Sequence, residues 1–177
     1  MEDTNYFYNF NLDKLNFQKK RKTYFIYEFE NFKNKLINFK SVKVNIPFGV
    51  ENYNSKYILN LEYLNNNFSH NQIVEIKKIE NFFSNLKDKN ISLHLKEELE
   101  DKTFSSSLNK RKDSILFRTH LKVQKKNIIS EFKKNNSLII FNELKSHVGY
   151  FNIELKSLWT SKDKYGLIWI VKNGSII

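Results

Sequence analysis

The chain has no cysteine, which excludes disulfides, a thiolate zinc site and a cysteine nucleophile, and which fits a reducing compartment. Its four glycines (Gly49, Gly149, Gly166 and Gly174) are far apart, so no glycine-rich loop is available to cradle a phosphate. No apolar run approaches the ~20 residues needed to span a bilayer. The opening Met1-Glu2-Asp3-Thr4 is acidic and polar, unlike a signal peptide. An intracellular protein with no membrane partner is the expectation. Catalytic groupings are also missing. His70, His94, His120 and His147 are scattered without metal-ligand spacing. Glu97, Glu98, Glu100 and Asp101 form one acidic stretch, whereas a two-metal site draws its acids from several elements. Neither catalysis, a metal nor a cofactor is expected.

What the chain does have is positive charge and aromatic rings. The formal net charge is +11, with sixteen Phe and nine Tyr among 177 residues. A field of that sign attracts polyanions, nucleic acid first among them. Asn, Lys, Ile, Phe and Tyr dominate, as an AT-rich genome would favour, so part of the lysine excess can be mutational. The plain alternative is a soluble domain with lysine-rich solvated faces. The length suits one domain with a proper core, read as an N-terminal arm over 1–22 and a single domain over 23–177.

The only proline, Pro47, sits in Lys43–Glu51 with Gly49 two residues on. Proline fixes φ and removes a donor, and glycine opens backbone angles closed to other residues, so this stretch turns the chain between two strands. Before it, Thr23–Glu30 alternates, and Asn38–Ile46 reads as one further strand. After it, Tyr57–Tyr63 puts Tyr57, Leu59, Leu61 and Tyr63 on one face. Ser69 with Gln72 resembles a capping box, and Ile73, Ile76, Ile79, Phe83 and Leu86 then recur at helical spacing, which predicts an amphipathic helix near 70–88. Asn90–Leu95 reads as a short strand, Lys96–Asp101 as an acidic patch and Lys102–Asn109 as a serine-rich loop. Ser114–Val123, Asn127–Phe132 and Ser137–Phe141 read as strands. Tyr150–Trp159 and Tyr165–Val171 form a hairpin across Ser161–Lys164. Many short strands with one helix make a mainly β (α+β) fold, a small barrel or a sandwich.

Between Lys102 and Lys134 there are ten Lys or Arg against Asp113 and Glu131 only. Alternation places Arg118, His120 and Lys122 on one strand face, where they could follow a phosphate backbone. Lys110, Arg111 and Lys112 precede that strand, while Lys125 and Lys126 follow it. Lys19, Lys20, Arg21 and Lys22 form a second basic cluster. Edge strands are often lysine-rich simply to prevent aggregation, but here the charge is clustered and local acids do not offset it. Single-strand binding adds rings on which bases stack, and Tyr24, Tyr150, Tyr165 and Trp169 are the candidates. Phe117, Phe151 and Trp159 share faces with aliphatic residues and read as core.

Three short motifs, Ile46-Pro47-Phe48-Gly49-Val50-Glu51, Phe117-Arg118-Thr119-His120-Leu121-Lys122 and Tyr165-Gly166-Leu167-Ile168-Trp169, together resemble a single-stranded-DNA-binding family of large nucleocytoplasmic DNA viruses. The resemblance implies an OB-like barrel that coats single-stranded DNA during viral replication, in the host cytoplasm or a viral factory. Single-strand binders of bacteria and phages usually end in an acidic tail that recruits partners. This sequence closes with Lys172-Asn173-Gly174-Ser175-Ile176-Ile177, so recruitment of replication proteins through such a tail is not implied. RNA in place of DNA, and self-association, stay open. The competing reading is a minor virion component whose charge neutralises packaged genome or an acidic partner.

Overall fold

The computed structural model describes residues 12–30, 33–35, 37–53, 56–89 and 91–177, and residues 1–11 of the expected arm lie outside that set. The rest of the arm is a short 3-10 turn (Leu12–Lys14) followed by a strand and its hairpin tip. β1 (Leu15–Lys20) pairs antiparallel with β2 (Thr23–Glu30), and Leu15 and Phe17 pack against the core. The sheet thus begins before residue 23, with Lys19–Lys22 at the tip of its first hairpin, where Arg21 takes φ 58°.

Strands β3 (Lys33–Lys35), β4 (Asn38–Lys40), β5 (Val44–Asn45), β6 (Val50–Tyr53) and β7 (Lys56–Leu64) lead into α1 (Asn67–Ser84) and α2 (Leu93–Leu99). Then come β8 (Thr103–Ser105), β9 (Leu108–Lys110), β10 (Ser114–Leu121), the small β11–β12 hairpin (Val123–Gln124 and Asn127–Ile128), β13 (Glu131–Lys134) and β14 (Ser137–Ile139). The chain closes with the long hairpin of β15 (Val148–Thr160) and β16 (Lys164–Ile176).

The expected strand over 38–46 is two short ones. Ser41 lies between them: its N–H donates to the Phe151 carbonyl at 2.7 Å and its hydroxyl accepts from the Phe151 N–H at 2.8 Å. A side chain thus stands in for one rung of the ladder. The turn that follows is the expected corner, with Gly49 at φ 74° and a Cβ position only 3.0 Å from the Lys145 Cβ, so both the angle and the space favour glycine.

The pairings run in a closed circuit. β15 pairs with β5, β5 with β7, β7 with β10, β10 with β16, and β16 with β15 again. All are antiparallel except β10–β16, which is parallel. Inward-facing residues fill the circuit: Leu59 and Leu61 from β7, Phe117 from β10, Ile153 and Leu155 from β15, and Trp169 from β16 are all fully buried. Trp169 meets Phe39 and Phe117 edge-on, with ring centroids 5.9 and 5.5 Å apart. Each such side chain contributes about 1.5–3 kcal/mol of transfer free energy, and shape specificity comes from the interlocking rings.

The helix forms where its apolar period predicts, with Ile73, Ile76, Ile79 and Phe83 buried. Its start is earlier than the Ser69–Gln72 pair suggested. Asn66 is the N-cap, its side chain accepting from the Ser69 N–H at 2.9 Å. Gln72 is inside instead: its carbonyl accepts from the Val42 N–H and the Tyr63 hydroxyl, and its amide donates to the Lys40 carbonyl, all at 2.9 Å. At the other end the Tyr165 hydroxyl lies 3.0 and 2.9 Å from the Phe83 and Ser84 carbonyls, which the helix itself leaves unsatisfied.

Two further segments depart from their expected states. Leu93–Leu99 is a helix and not a strand, because Leu95 and Leu99 bury together at i, i+4 spacing. The 102–109 stretch is held as β8 and β9. Glu80 of α1 accepts from the Ser107 N–H at 2.6 Å and from the Ser106 hydroxyl, so the serines serve as donors. The strands between the helices and the closing hairpin are also shorter than expected, while the hairpin strands are longer. β10 ends at Leu121, the 127–132 run divides between β12 and β13, and 137–141 keeps only Ser137–Ile139 as strand.

Candidate nucleic-acid interface

β10 carries the centre of the basic run. Alternation along it puts Phe117, Thr119 and Leu121 inside and leaves Arg118 exposed with His120 half-buried on the outer face. Its eight residues, at about 3.3 Å each, separate its ends by roughly 23 Å. The basic run of the sequence is therefore divided in space. Lys110, Arg111 and Lys112 lie at the β9–β10 turn, and Lys122, Lys125 and Lys126 at the far end. Lys125 and Lys126 form the β11–β12 tip, at φ 48° and 70°.

At that far end lies a cleft of about 460 Å³ between the outer sheet face and the β11–β12 hairpin. Its floor can be read across the strands. His120 of β10 is opposite Ile170 of β16, and Ile170 opposite Glu154 of β15. One rung along, Ile168 faces Ser157, which faces Phe25 of β2. Lys56, Lys122 and Lys156 edge this apolar floor, and Tyr57 and Val123 complete the wall. The Phe25 ring draws two cations, Lys20 at 5.8 Å and Lys156 at 5.4 Å. Glu154 is the one carboxylate lining the cleft, and it is offset by Lys172 at 3.3 Å and Lys156 at 3.9 Å. Among the described residues, Lys56, Arg118 and Lys122 make no ion pair.

His120 does not act as a cation here. Burial, reinforced by the charges of Lys56 and Arg118, holds its pKa down to about 4 against a backbone hydrogen bond with Trp169 that opposes the shift. The ring is neutral at neutral pH, with Nδ1 buried and unpartnered. It supplies a flat polar surface between Arg118 and Lys122, and the alternation that placed it correctly could not give its charge.

The first basic cluster behaves differently. Lys19 is committed to Glu98 of α2 at 2.8 Å and sits 3.1 Å from His94 Nε2. Glu98 also accepts from the Thr160 hydroxyl at 2.7 Å and from the Tyr24 hydroxyl. Burial alone would push this carboxyl up, but the hydrogen bonds from Lys19, Tyr24 and Thr160 outweigh it and hold the pKa at about 2. Lys19 therefore fastens α2 to the first hairpin and is no longer free for a phosphate. Arg21 and Lys22 are exposed at the tip.

Three of the four expected stacking rings are in the interior. Trp169 is fully buried, Tyr165 is 1% exposed and Tyr24 is 2% exposed, so none can meet a base. The reason is alternation: they occupy inward positions of β16 and β2, and the polar tips of the tyrosines find protein partners. Tyr150 remains outside, beneath Lys40 at 5.4 Å, on a part of β15 away from the cleft. The available rings are others: Phe25 in the cleft, and Tyr53, 66% exposed and paired with Lys56 at the β6–β7 tip, whereas Tyr57 packs against the core with its ring edge-on to Phe141 at 6.0 Å. Phe25 shares its outward face with Thr23, and that alternation could have revealed it. Nothing in the sequence alone separates Tyr57 from Leu59 and Leu61.

Among the described residues no group of three or more His, Asp or Glu is placed to hold a metal ion. No described helix is long and apolar enough to cross a membrane.

No protein-family model matches the chain, and no curated protein matches it. Among solved structures it is similar to the crystal structure of a single-stranded DNA binding protein encoded by bacteriophage T7, at 12% identity and a TM-score of 0.49. That match covers 78% of this chain and 85% of that one. A likeness at this level leaves the function to be argued from the residues.

Proposed function

We propose that this protein binds single-stranded DNA with little sequence preference, on the outer face of β7 and β10 and in the cleft that continues it. The observation that carries this reading is the composition of the cleft. An apolar floor that carries the Phe25 ring is edged by lysines and walled by a hairpin whose tip is Lys125-Lys126. Bases stack on rings regardless of their identity, while lysines and arginines neutralise the backbone. A duplex keeps its bases stacked inside and would offer this floor nothing.

The circuit of strands supports an OB-like barrel as the frame. In chain order its strands are β5, β7, β10, β15 and β16, with α1 between the second and third. In OB folds the face of the second and third strands, with the loop joining the first to the second, takes oligonucleotides. Here that face carries Arg118 and His120, and that loop carries Tyr53 and Lys56. A place in viral DNA replication, with the host cytoplasm or a viral factory as its setting, is the extension that the sequence motifs support. The Pro47-Phe48-Gly49 corner meets the basic run directly, with Phe48 packed under Arg111 at 4.8 Å.

The test is fluorescence anisotropy with labelled oligothymidine and a matched duplex over a salt series. Preference for the single strand, weakening steeply with salt, is expected. Equal binding to both would overturn the reading in favour of a charge-neutralising structural protein.

A further inference from the structure

We propose that a second pocket, at the opposite end of β10 from the cleft, holds one phosphate group of the bound strand. This inference rests on the single-strand reading and adds to it an anchor without rings. The pocket, about 150 Å³, lies between the first turns of α1 and the β9–β10 turn. Its rim carries Lys77, Lys110, Arg111 and Lys112, opposed by the single carboxylate of Asp113.

Two independent features make it an anion site and not merely a lysine-rich turn. The first is Ser69. It is 2% exposed, it lines the pocket, and its hydroxyl is buried with no hydrogen-bond partner. Leaving a buried polar group unpaired costs about 1–3 kcal/mol, and a phosphate oxygen would accept its proton. Of the neighbouring wall, Ile73 and Ile115 are apolar and the Tyr63 hydroxyl is committed to Gln72 at 2.9 Å. The second feature is electrostatic. The first turn of α1 has no acidic residue, so the positive end of the helix is left uncompensated.

Arg111 is the pre-set member of the rim. Its guanidinium lies over the Phe48 ring at 4.8 Å, and its backbone N–H donates to the Ser114 carbonyl at 2.8 Å. Stacking on a ring fixes the plane while leaving guanidinium N–H edges available for a bidentate contact with phosphate. The Pro-Phe-Gly corner thereby acquires a purpose: it supplies the ring on which this arginine rests. The roughly 23 Å between pocket and cleft lets one strand occupy both, within the ~4–16 nucleotides that one OB domain covers.

The probe is inorganic phosphate, titrated into the whole protein at constant ionic strength against chloride and followed by amide NMR. Saturable shifts confined to Ser69–His70 and Lys110–Asp113, lost in Ser69→Ala and in Arg111→Ala, are expected. Small shifts spread over all the lysine turns would mean general screening and would overturn the site. A second arm separates free phosphate from the strand's own: Arg111→Ala should lower the oligothymidine salt slope by about 1 while Phe25→Ala leaves it unchanged. If phosphate binds the pocket but the slope does not move, the pocket takes a free anion and the strand anchor is wrong. If oligothymidine does not bind the protein at all, the single-strand reading fails, and the phosphate titration still reports on the pocket.

Discussion

Two corners of this molecule bring lysines and rings together, and they put them to opposite uses. At the first hairpin, Lys19, Tyr24 and Thr160 converge on Glu98. The charge is paired, the ring is inside, and the result is a clamp between the sheet and α2. At the far end of β10, Lys56 and Lys122 surround a neutral histidine and an apolar floor. Here Lys56 and Lys122 make no ion pair among the described residues, the Phe25 ring faces outward, and the result is an open surface. Composition treats the two corners alike. A carboxylate arriving from α2 makes the difference, because it changes Lys19 from an available cation into a structural one.

The contrast can be broken most severely through the core that both corners share. Trp169→Ala should cost about 3–5 kcal/mol, read as a lowered midpoint in urea unfolding. Binding should be lost only to the extent that folding is, since Trp169 never reaches solvent.

The cleft is sharpened next. Arg118→Ala with Lys122→Ala should reduce the oligothymidine salt slope by about 2, one per phosphate contact. Phe25→Ala should weaken binding by about 1–3 kcal/mol, the value of one base stack, with the slope intact.

At the clamp, Glu98→Gln should cost on the order of 1 kcal/mol in stability and change pH dependence more than affinity. Its folded pKa lies below the usual carboxylate value, so its contribution is complete above about 4.5 and is lost as pH falls towards about 2. Acid unfolding of the variant should lack that component.

His120 gives the smallest effect on binding. Its folded pKa of about 4 lies below the ordinary 6.5. The unfolded chain therefore binds the extra proton first, and stability falls as pH drops from about 6.5 towards 4. His120→Gln should flatten that part of the stability curve and leave binding at neutral pH nearly unchanged.

Much of the architecture is legible in the residues. Period-two alternation in Tyr57–Tyr63 and Ser114–Leu121, and the helical stripe from Ile73 to Phe83, mark elements that local side chains determine by themselves. The misread segments are those whose state depends on a distant partner. Leu93–Leu99 coils because Leu95 and Leu99 find the core, and Lys102–Asn109 is ordered because Glu80 reaches its serines. Of the candidate site, the exposed cations Arg118, Lys122, Lys125 and Lys126 were readable from spacing. The rings were not, because alternation gives two faces without saying which is inside. Trp169 and Tyr165 look like an amphipathic strand's outer rings until β15 and β10 close over them. Lys56 and Lys156 come from other strands and join the cleft only through the circuit.

The most direct test of the account compares Lys122→Gln with Lys19→Gln in oligothymidine anisotropy over a salt series. The first should lower the slope by about 1 and the second should leave it unchanged while loosening the fold. Equal loss from both would show that charge count alone governs binding, and would contradict a cleft built at the far end of β10.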